Sequence, residues 1–332
     1  MNGKSLLLAL SYIDSKYVEE SEKDMPLVHA PALRPLLIAA IIAALLLAGC
    51  GYAVLSEPEW LQSFFSRQKG QPLSQGQSVY IEQNTQIIGQ SISKRGYTVS
   101  VQSALAEERV ACIRLRLEGE GITDIYSARF EPRELEKGKG YEALFYEKGH
   151  ACTEESPYGS GMWALSPDGK NTISVIIQLD QSAKPDAPSF KAGVPYILHL
   201  TDLCVKGLDG AEKTRIEETW DFEIVFDNIN TDCVELLSAA ITISSANQTL
   251  RITSFKLRTM GIDLSIDAED FNYNWRDCFL DSKVVLKDGS AVPIYPLFGN
   301  SGGSLGLKLD CPIVLAEVDY VKLDDGTQLY LP

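Results

Sequence analysis

Histidine is scarce in this sequence, and the short motifs of common enzyme classes are missing. The 332 residues include three histidines, His29, His150 and His199, and the sequence has no C-x-x-C pair, phosphate-binding loop or dinucleotide fingerprint. Three scattered histidines cannot assemble a zinc site, and the acidic stretch at residues 263–270 lacks the residue order of an EF-hand loop. We therefore predict that the protein has no metal ion or cofactor and is not an enzyme.

One glycine-rich loop resembles the nucleophile loop of chymotrypsin-like proteases. Residues 299–304 read Gly-Asn-Ser-Gly-Gly-Ser, and that family places its serine in a Gly-x-Ser-Gly-Gly turn. The chemistry requires a histidine base, and none of the three histidines lies in the apolar setting of that family. We interpret this loop as a connection between strands.

Basic residues are outnumbered by acidic ones. The chain has 30 Lys and Arg against 45 Asp and Glu, a formal net charge of -15, and nearly all of the excess acid lies in residues 56–332. A surface this negative repels phosphate backbones, and no cluster of basic residues interleaved with aromatics interrupts it. The composition thus argues against a nucleic-acid partner and suits solubility beside a membrane.

The seven cysteines show no spacing that identifies their role. Cys50 lies in an apolar segment, and the other six are widely and irregularly spaced. An even number permits three disulfides, in any of fifteen pairings. The sequence therefore leaves open whether these cysteines are paired or are structurally neutral thiols. They are Cys112, Cys152, Cys204, Cys233, Cys278 and Cys311.

Long apolar runs are also rare, and only residues 35–55 form one. This segment has 21 residues and no charged side chain. At about 1.5 Å per residue, a helix of that length just spans a hydrocarbon core of about 30 Å. We predict a single transmembrane helix over residues 35–55. Its membrane anchors are Pro35, Leu36, Ile41, Leu46 and Leu55.

The same segment also matches a bacterial lipobox, which leaves a second interpretation open. In Leu47-Ala-Gly-Cys50, Cys50 would be acylated and would become the mature N-terminus. A long acidic leader and the apolar continuation up to Leu55 are unusual for a lipoprotein and natural for a spanning helix. We favour the spanning helix and keep lipidation of Cys50 as the alternative.

A short amphipathic stretch follows the apolar segment. Trp60, Leu61, Phe64 and Phe65 fall on one face of a helix. Aromatic residues beside a membrane span are typical of an interfacial collar. We predict such a collar within a juxtamembrane segment and linker at residues 56–73. The alternative is that these side chains belong to the core of the domain that follows.

The N-terminal tail, residues 1–34, is net acidic and does not resemble a signal peptide. We therefore predict a cytoplasmic tail, with the large domain extracytoplasmic. Four apolar tail residues follow helical spacing on one face, and this face would either dock a cytoplasmic regulatory protein or lie on the inner leaflet. They are Leu6, Leu10, Ile13 and Tyr17.

The remainder of the chain has the patterns of antiparallel β structure. Residues 97–101 and 112–117 alternate apolar and polar side chains, and four Asp-Gly pairs punctuate apolar stretches as hairpin turns. One short helix is indicated where Ser74 and Gln77 form a capping-box pattern. We predict a mostly β fold with two antiparallel sandwich-like domains, residues 74–227 and an Ig-like sandwich at residues 228–332.

Four stretches resemble bacterial single-pass envelope proteins of the domain of unknown function 4179 type, which are anti-sigma-factor-like in layout: residues 6–20, 72–77, 96–105 and 312–321. The resemblance implies a tail that restrains a sigma factor and an outer β domain that senses the state of the envelope. This sequence lacks the His-x-x-x-Cys-x-x-Cys pattern of many anti-sigma domains.

Two functions follow from these observations. The first is a transmembrane signalling regulator, whose tail contacts a cytoplasmic partner while the β domains respond to an extracytoplasmic ligand. The second is an envelope binding module or lipoprotein, in which the β domains alone carry the function. Both predict attachment to a cell membrane.

Overall fold

The computed structural model describes residues 58–123, 128–130, 144–149, 159–169, 171–180, 189–206, 213–245, 248–267, 275–296 and 304–332. The tail, the apolar segment with Cys50, and residues 299–303 of the glycine-rich loop lie outside these ranges. Within them, no helix combines the length and the apolar content needed to cross a membrane. The described residues form a mostly β structure with antiparallel strand pairing, as the sequence predicts.

Within the described residues, two helices precede eighteen strands. The helices are α1 (58–69) and α2 (Gln75–Asn84). The strands are β1 (Gln86–Lys94), β2 (Tyr97–Ala106), β3 (Val110–Glu118), β4 (Ala128–Phe130), β5 (Leu144–Glu147), β6 (Gly159–Gly169), β7 (Thr172–Asp180), β8 (Pro195–Lys206), β9 (Lys213–Val225), β10 (Cys233–Glu235), β11 (Ile241–Ser245), β12 (Gln248–Arg258), β13 (Gly261–Ile266), β14 (Lys283–Leu286), β15 (Ala291–Pro296), β16 (Ser304–Leu309), β17 (Val318–Lys322) and β18 (Gln328–Tyr330). Short 3-10 helices occupy Trp275–Cys278 and Leu315–Glu317.

The predicted capping box forms at the start of α2. The Ser74 side chain accepts a hydrogen bond from the Gln77 backbone N–H at 3.0 Å, and the Gln77 side chain accepts one from the Ser74 backbone N–H at 2.9 Å. These two bonds satisfy backbone donors that a helix start leaves unpaired. The prediction of a helix here is confirmed.

Strands β1 to β9 form the first module, which consists of two sheets. One sheet has the order β1-β2-β3-β7-β6, and in the other β4, β5 and β9 all pair with β8. A buried core joins the inner faces, with Leu115 from one sheet and Trp220, Phe222 and Tyr196 from the other. Two antiparallel sheets that share an apolar core form a sandwich-like arrangement.

Strand β3 is buried on both of its faces. Ile113 and Leu115 point into the first module's core, while Val110 and Cys112 belong to a second cluster that contains the core of the later strands. The alternation in the sequence predicts this division of side chains correctly. It does not reveal that the outer face of the strand is also covered.

Strands β10 to β18 form the second module, which differs from the predicted Ig-like sandwich. Its strands make one continuous nine-stranded sheet rather than two separate ones. Ile243 near one end and Leu329 at the other belong to the same buried cluster, and the Ser244 N–H donates to Asp325 Oδ2 at 3.4 Å. The sheet therefore folds back over a single core.

The hairpin turns divide into two kinds. Arg95 and Gly96, between β1 and β2, both have positive φ (50° and 82°), as a type I′ turn requires. The turn at Asp288-Gly289 differs from type I′, because only Gly289 has positive φ there. Asp288 Oδ1 instead accepts a hydrogen bond from the Ser290 N–H at 2.8 Å, which is an Asx turn.

The five described cysteines are thiols, which is the second of the two interpretations that the sequence leaves open. Cys233 is exposed, whereas the other four, Cys112, Cys204, Cys278 and Cys311, are buried. Burial also raises the pKa of the Cys311 thiol to about 12, which keeps it protonated at neutral pH.

We expect Cys233 to be the fastest-reacting of these five cysteines. Treating the folded chain with a maleimide at pH 7 and mapping the modified peptides should give Cys233 at least about tenfold faster than the buried four, because the reagent needs access and a thiolate. Labelling in denaturant serves as the control and should give the five cysteines similar reaction rates. Equal rates in the folded chain would contradict the burial that the structure shows.

Candidate functional site

The described residues contain no group of three His, Cys, Asp or Glu side chains placed to hold a metal ion. The candidate functional feature is instead the junction, which we define as the region where α1 and α2 meet both modules. It brings together side chains that are far apart in the sequence. Its contacts connect the helices to both modules.

Helix α1 is packed into the protein core. Leu61, Phe64 and Phe65 are 0%, 2% and 3% exposed, and they share one buried cluster with Leu105 of β2 and with residues of the second module. Side chains buried in this way have no surface left to offer a lipid headgroup. The predicted membrane collar is therefore wrong for these three residues, and the alternative, that they are core, describes the structure.

Trp60 connects α1 to the first module. The guanidinium carbon of Arg114, on β3, lies 4.1 Å from the centroid of the Trp60 ring. Arg114 is buried and also donates a hydrogen bond to Ser174 Oγ at 3.2 Å. A cation held over a tryptophan face in a desolvated place is a favourable cation–π contact. Trp60, the fourth residue of the predicted collar, therefore contacts protein as well.

A buried polar network connects the helices to the second module. Lys69 Nζ donates to Gln77 Oε1 at 3.1 Å, and Gln77 Nε2 donates to the Pro312 carbonyl at 2.7 Å and to Cys311 Sγ at 3.1 Å. Gln77 is fully buried, and Lys69 is 7% exposed. Ser74 Oγ also donates to Glu317 Oε2 at 2.8 Å. Buried polar groups satisfied by specific partners fix one arrangement of the helices.

An ionic cluster joins the two modules directly. Arg258, at the end of β12, lies 2.6 Å from Glu108 Oε2 in the β2–β3 turn and 2.6 Å from Asp263 Oδ2 on β13. In the same turn, Glu107 Oε2 accepts a hydrogen bond from the Met260 backbone N–H at 2.9 Å. The turn between two strands of the first module is thus bound by two adjacent carboxylates to the second module.

The Asn230 segment between the modules is part of the same cluster. Its backbone carbonyl accepts from the Glu108 N–H at 3.0 Å, and its side-chain amide donates to Tyr80 of α2 and to Thr259, each at 3.2 Å. The chain between β9 and β10 is therefore held by hydrogen bonds to α2 and to both modules. This connection lies where the sequence predicts a domain boundary, at residues 227 and 228.

Acidification should weaken the junction through Glu108. Burial alone would raise the pKa of Glu108, but the Ser189 hydroxyl and the Arg258 guanidinium hold it below its ordinary value. A depressed folded-state pKa stabilises the fold above the unfolded-state pKa, and this contribution disappears as the pH falls through the folded-state pKa. We expect the denaturant concentration at the unfolding midpoint to decrease as the pH is lowered below the ordinary glutamate pKa of 4.5. In Glu108→Gln this decrease should be less steep. Identical pH slopes would contradict this role for Glu108.

The sequence gives little indication of this junction. Gln77 is recognisable as the capping-box residue, but its bonds to Cys311 and Pro312 are not. Arg258 and Arg114 each sit in an alternating strand pattern that is equally typical of an exposed arginine. The structure places Trp60, Leu61, Phe64 and Phe65 together at this site. The other predicted site residues, in the tail and in the apolar segment, lie outside the described residues.

Comparisons with known proteins found similarity to solved structures only. No family model and no curated protein sequence matches the chain. A conserved domain protein from Bacillus anthracis is 10% identical, with a TM-score of 0.48, over 73% of this chain and 77% of that one. The N-terminal periplasmic domain of ScsB from Proteus mirabilis is 10% identical, with a TM-score of 0.22, over 75% of this chain and 99% of that one. TarS from S. aureus is 13% identical, with a TM-score of 0.18, over 83% and 54%.

Proposed function

We propose that this protein is a single-pass membrane protein in which the two β modules form an extracytoplasmic body that regulates a cytoplasmic partner through the N-terminal tail. Residues 35–55 are the membrane segment in this account, and residues 1–34 are the cytoplasmic tail. The role is that of a transmembrane signalling regulator, anti-sigma-like in layout.

The burial of α1 is the observation that supports this proposal most directly. The helix begins at residue 58, shortly after the apolar segment in the sequence, and its apolar face lies in a core shared by both modules. A sensor must couple a change in its outer part to the chain that enters the membrane. A packed helix transmits a displacement, whereas a flexible linker of the same length would absorb it.

The junction supports the same role because it can restrain the modules in one arrangement. Arg258, Glu108 and Asp263 form a charged contact between the modules, and Lys69 and Gln77 bind the helices to the second module. A ligand that binds better to another arrangement of the modules would shift this equilibrium and move α1. A regulator requires this coupling between the arrangement of the modules and the position of α1, whereas a protein that is only tethered to the membrane does not.

A capture experiment tests the tail's part in the proposal. A peptide of residues 1–34 should retain one partner protein, and Leu10→Asp with Ile13→Asp should abolish retention, because both charges fall on the apolar face. The matched control is Ser11→Asp with Ser15→Asp, which places the same charges on the opposite face of the predicted helix. Equal retention by both double variants would contradict a partner-binding face.

The alternative is an envelope binding module, lipidated at Cys50, whose β modules alone carry the function. The lipobox at Leu47 to Cys50 favours it. Replacing residues 1–33 by an unrelated tail separates the two, because a binding module would keep its function and a regulator would lose it.

A further inference from the structure

The outward face of strands β14, β17 and β18 carries two adjacent tyrosines. Tyr320 and Tyr330 are register partners on neighbouring strands, with ring centroids 5.5 Å apart. Tyr330 is 57% exposed, and its hydroxyl donates to Gln328 Oε1 at 2.6 Å. The polar tip of this ring is therefore oriented while the ring remains accessible.

The next row of the same face carries two opposed lysines. Lys283 and Lys322 are direct register partners on β14 and β17. Like charges placed opposite each other across two strands destabilise a sheet. Within the described residues, neither ammonium group lies in an ion pair. Asp281 precedes Lys283 by two residues and Asp324 follows Lys322 by two, and the Asp281 N–H donates to Asp324 Oδ1 at 3.0 Å.

The opposite face of these strands already supplies the core. Val284, Val321 and Leu329 point into the buried cluster of the second module. The outward side chains are therefore not needed to bury apolar surface. We define the tyrosine–lysine face as Lys283, Lys322, Tyr320, Tyr330 and Gln328.

We propose that the tyrosine–lysine face binds an anionic polysaccharide, with sugar rings against the tyrosines and acidic groups beside the lysines. Tyrosine rings offer an apolar surface at low entropic cost, and the Gln328 amide can bond sugar hydroxyls. Two opposed cations that form no ion pair within the described residues are complementary to the acidic groups of a polyanion. This binding role rests on the proposed function in one respect: the β modules must face the envelope to reach such a polymer.

Binding by the purified full-length chain in detergent tests this assignment. Three probes of matched length separate the chemistries: oligogalacturonate has sugar and charge, malto-oligosaccharide has sugar only, and poly-glutamate has charge only. We expect oligogalacturonate to bind at least about tenfold more tightly than either of the others. Equal affinity for poly-glutamate, or for malto-oligosaccharide, would overturn the proposal.

Variants locate the site on the molecule. Tyr330→Ala should weaken oligogalacturonate binding about tenfold, the range for loss of one stacked ring. Lys283→Ser with Lys322→Ser should weaken it by at least as much and should flatten its salt dependence. The matched control, Lys191→Ser with Lys256→Ser, removes two exposed cations elsewhere and should have no effect. Loss of binding in the control, or retention in both test variants, would refute the site.

The outcome is independent of the membrane topology. Binding to the purified chain would survive a finding that the body faces the cytoplasm, which would refute the proposed function alone. Conversely, an extracytoplasmic body with no preference for oligogalacturonate would refute this assignment alone. All of the substituted side chains are at least partly exposed, so no variant should unfold at a markedly lower temperature than the unchanged protein.

Discussion

Replacing Phe64 by alanine should lower the free energy of unfolding by about 3 to 4 kcal/mol. Phe64 is 2% exposed and lies in the cluster that joins α1 to both modules. Truncating a buried phenylalanine removes its transfer free energy and leaves a cavity, and the cost is typically about 3 to 5 kcal/mol. The effect should be cooperative, because α1 packs into a core shared with the β strands and is not a peripheral helix.

Chemical denaturation of the full-length chain in detergent, followed by far-UV circular dichroism of the β signal, measures this loss. The matched control is Glu59→Ala on the exposed side of the same helix, which should change the free energy of unfolding by less than about 0.5 kcal/mol. A membrane collar would give the opposite result. In that case Phe64→Ala would weaken association with lipid and leave the β unfolding transition unchanged.

Replacing Arg258 by methionine should lower the free energy of unfolding by about 3 kcal/mol. Arg258 is nearly buried, and its removal leaves Glu108 and Asp263 without the guanidinium that each approaches at 2.6 Å. Removing one partner of a buried ion pair leaves an uncompensated charge, which costs about 3 to 5 kcal/mol, and the partial exposure of both carboxylates places this case at the lower end. The variant should unfold at lower denaturant and should loosen the contact between the modules.

A double-mutant cycle isolates the contact between the modules. Adding Glu108→Gln to Arg258→Met should cost less than the sum of the two single changes, because Glu108 is no longer a stranded charge. The control is Arg251→Met, whose ion pair with Asp267 is exposed and should contribute less than about 1 kcal/mol. Additive losses in the cycle would contradict a direct Arg258–Glu108 coupling.

Periodicity predicts much of the sheet structure because the signal is local. The alternating stretches at residues 97–101 and 112–117 fall within β2 and β3, and the division of side chains on β3 follows the pattern. A strand with one face on a core has an apolar side chain at every second residue, so the pattern is visible in the sequence. Ser74 and Gln77 likewise predict the start of α2 from four neighbouring residues.

The junction is not predictable in this way, because its partners are distant in sequence. Arg258 and Glu108 are 150 positions apart, and Gln77 and Cys311 are 234 apart. Nothing local distinguishes such a pair from two solvated side chains. The aromatic face of α1 shows the same limit, since Trp60, Phe64 and Phe65 have the composition of both a membrane collar and a core helix. Only the tertiary contacts separate these alternatives.

In the second module, the turn residues predict where a hairpin lies but not the backbone geometry of its turn. Asp288-Gly289 does connect two paired strands, as predicted, yet the Asp288 carboxylate stabilises the turn through the Ser290 N–H. The arrangement of the nine strands in one folded sheet depends on pairings such as β13 with β16, which join segments separated by a long connection. Such pairings have no local sequence signal.

Cys233 provides a native reporter for the central claim, that the β body lies outside the cytoplasm and is attached by residues 35–55. It is exposed, whereas the other described cysteines are buried. Intact bacterial cells expressing Ser11→Cys would be treated with a membrane-impermeant maleimide, with Cys233→Ser as the control, and the labelled peptides and N-terminal mass would be determined. The account predicts labelling at Cys233 in intact cells, labelling at position 11 only after permeabilisation, and an N-terminus ahead of Cys50. Labelling at position 11 but not at Cys233 would contradict the topology, and an acylated terminus at Cys50 would contradict the spanning helix.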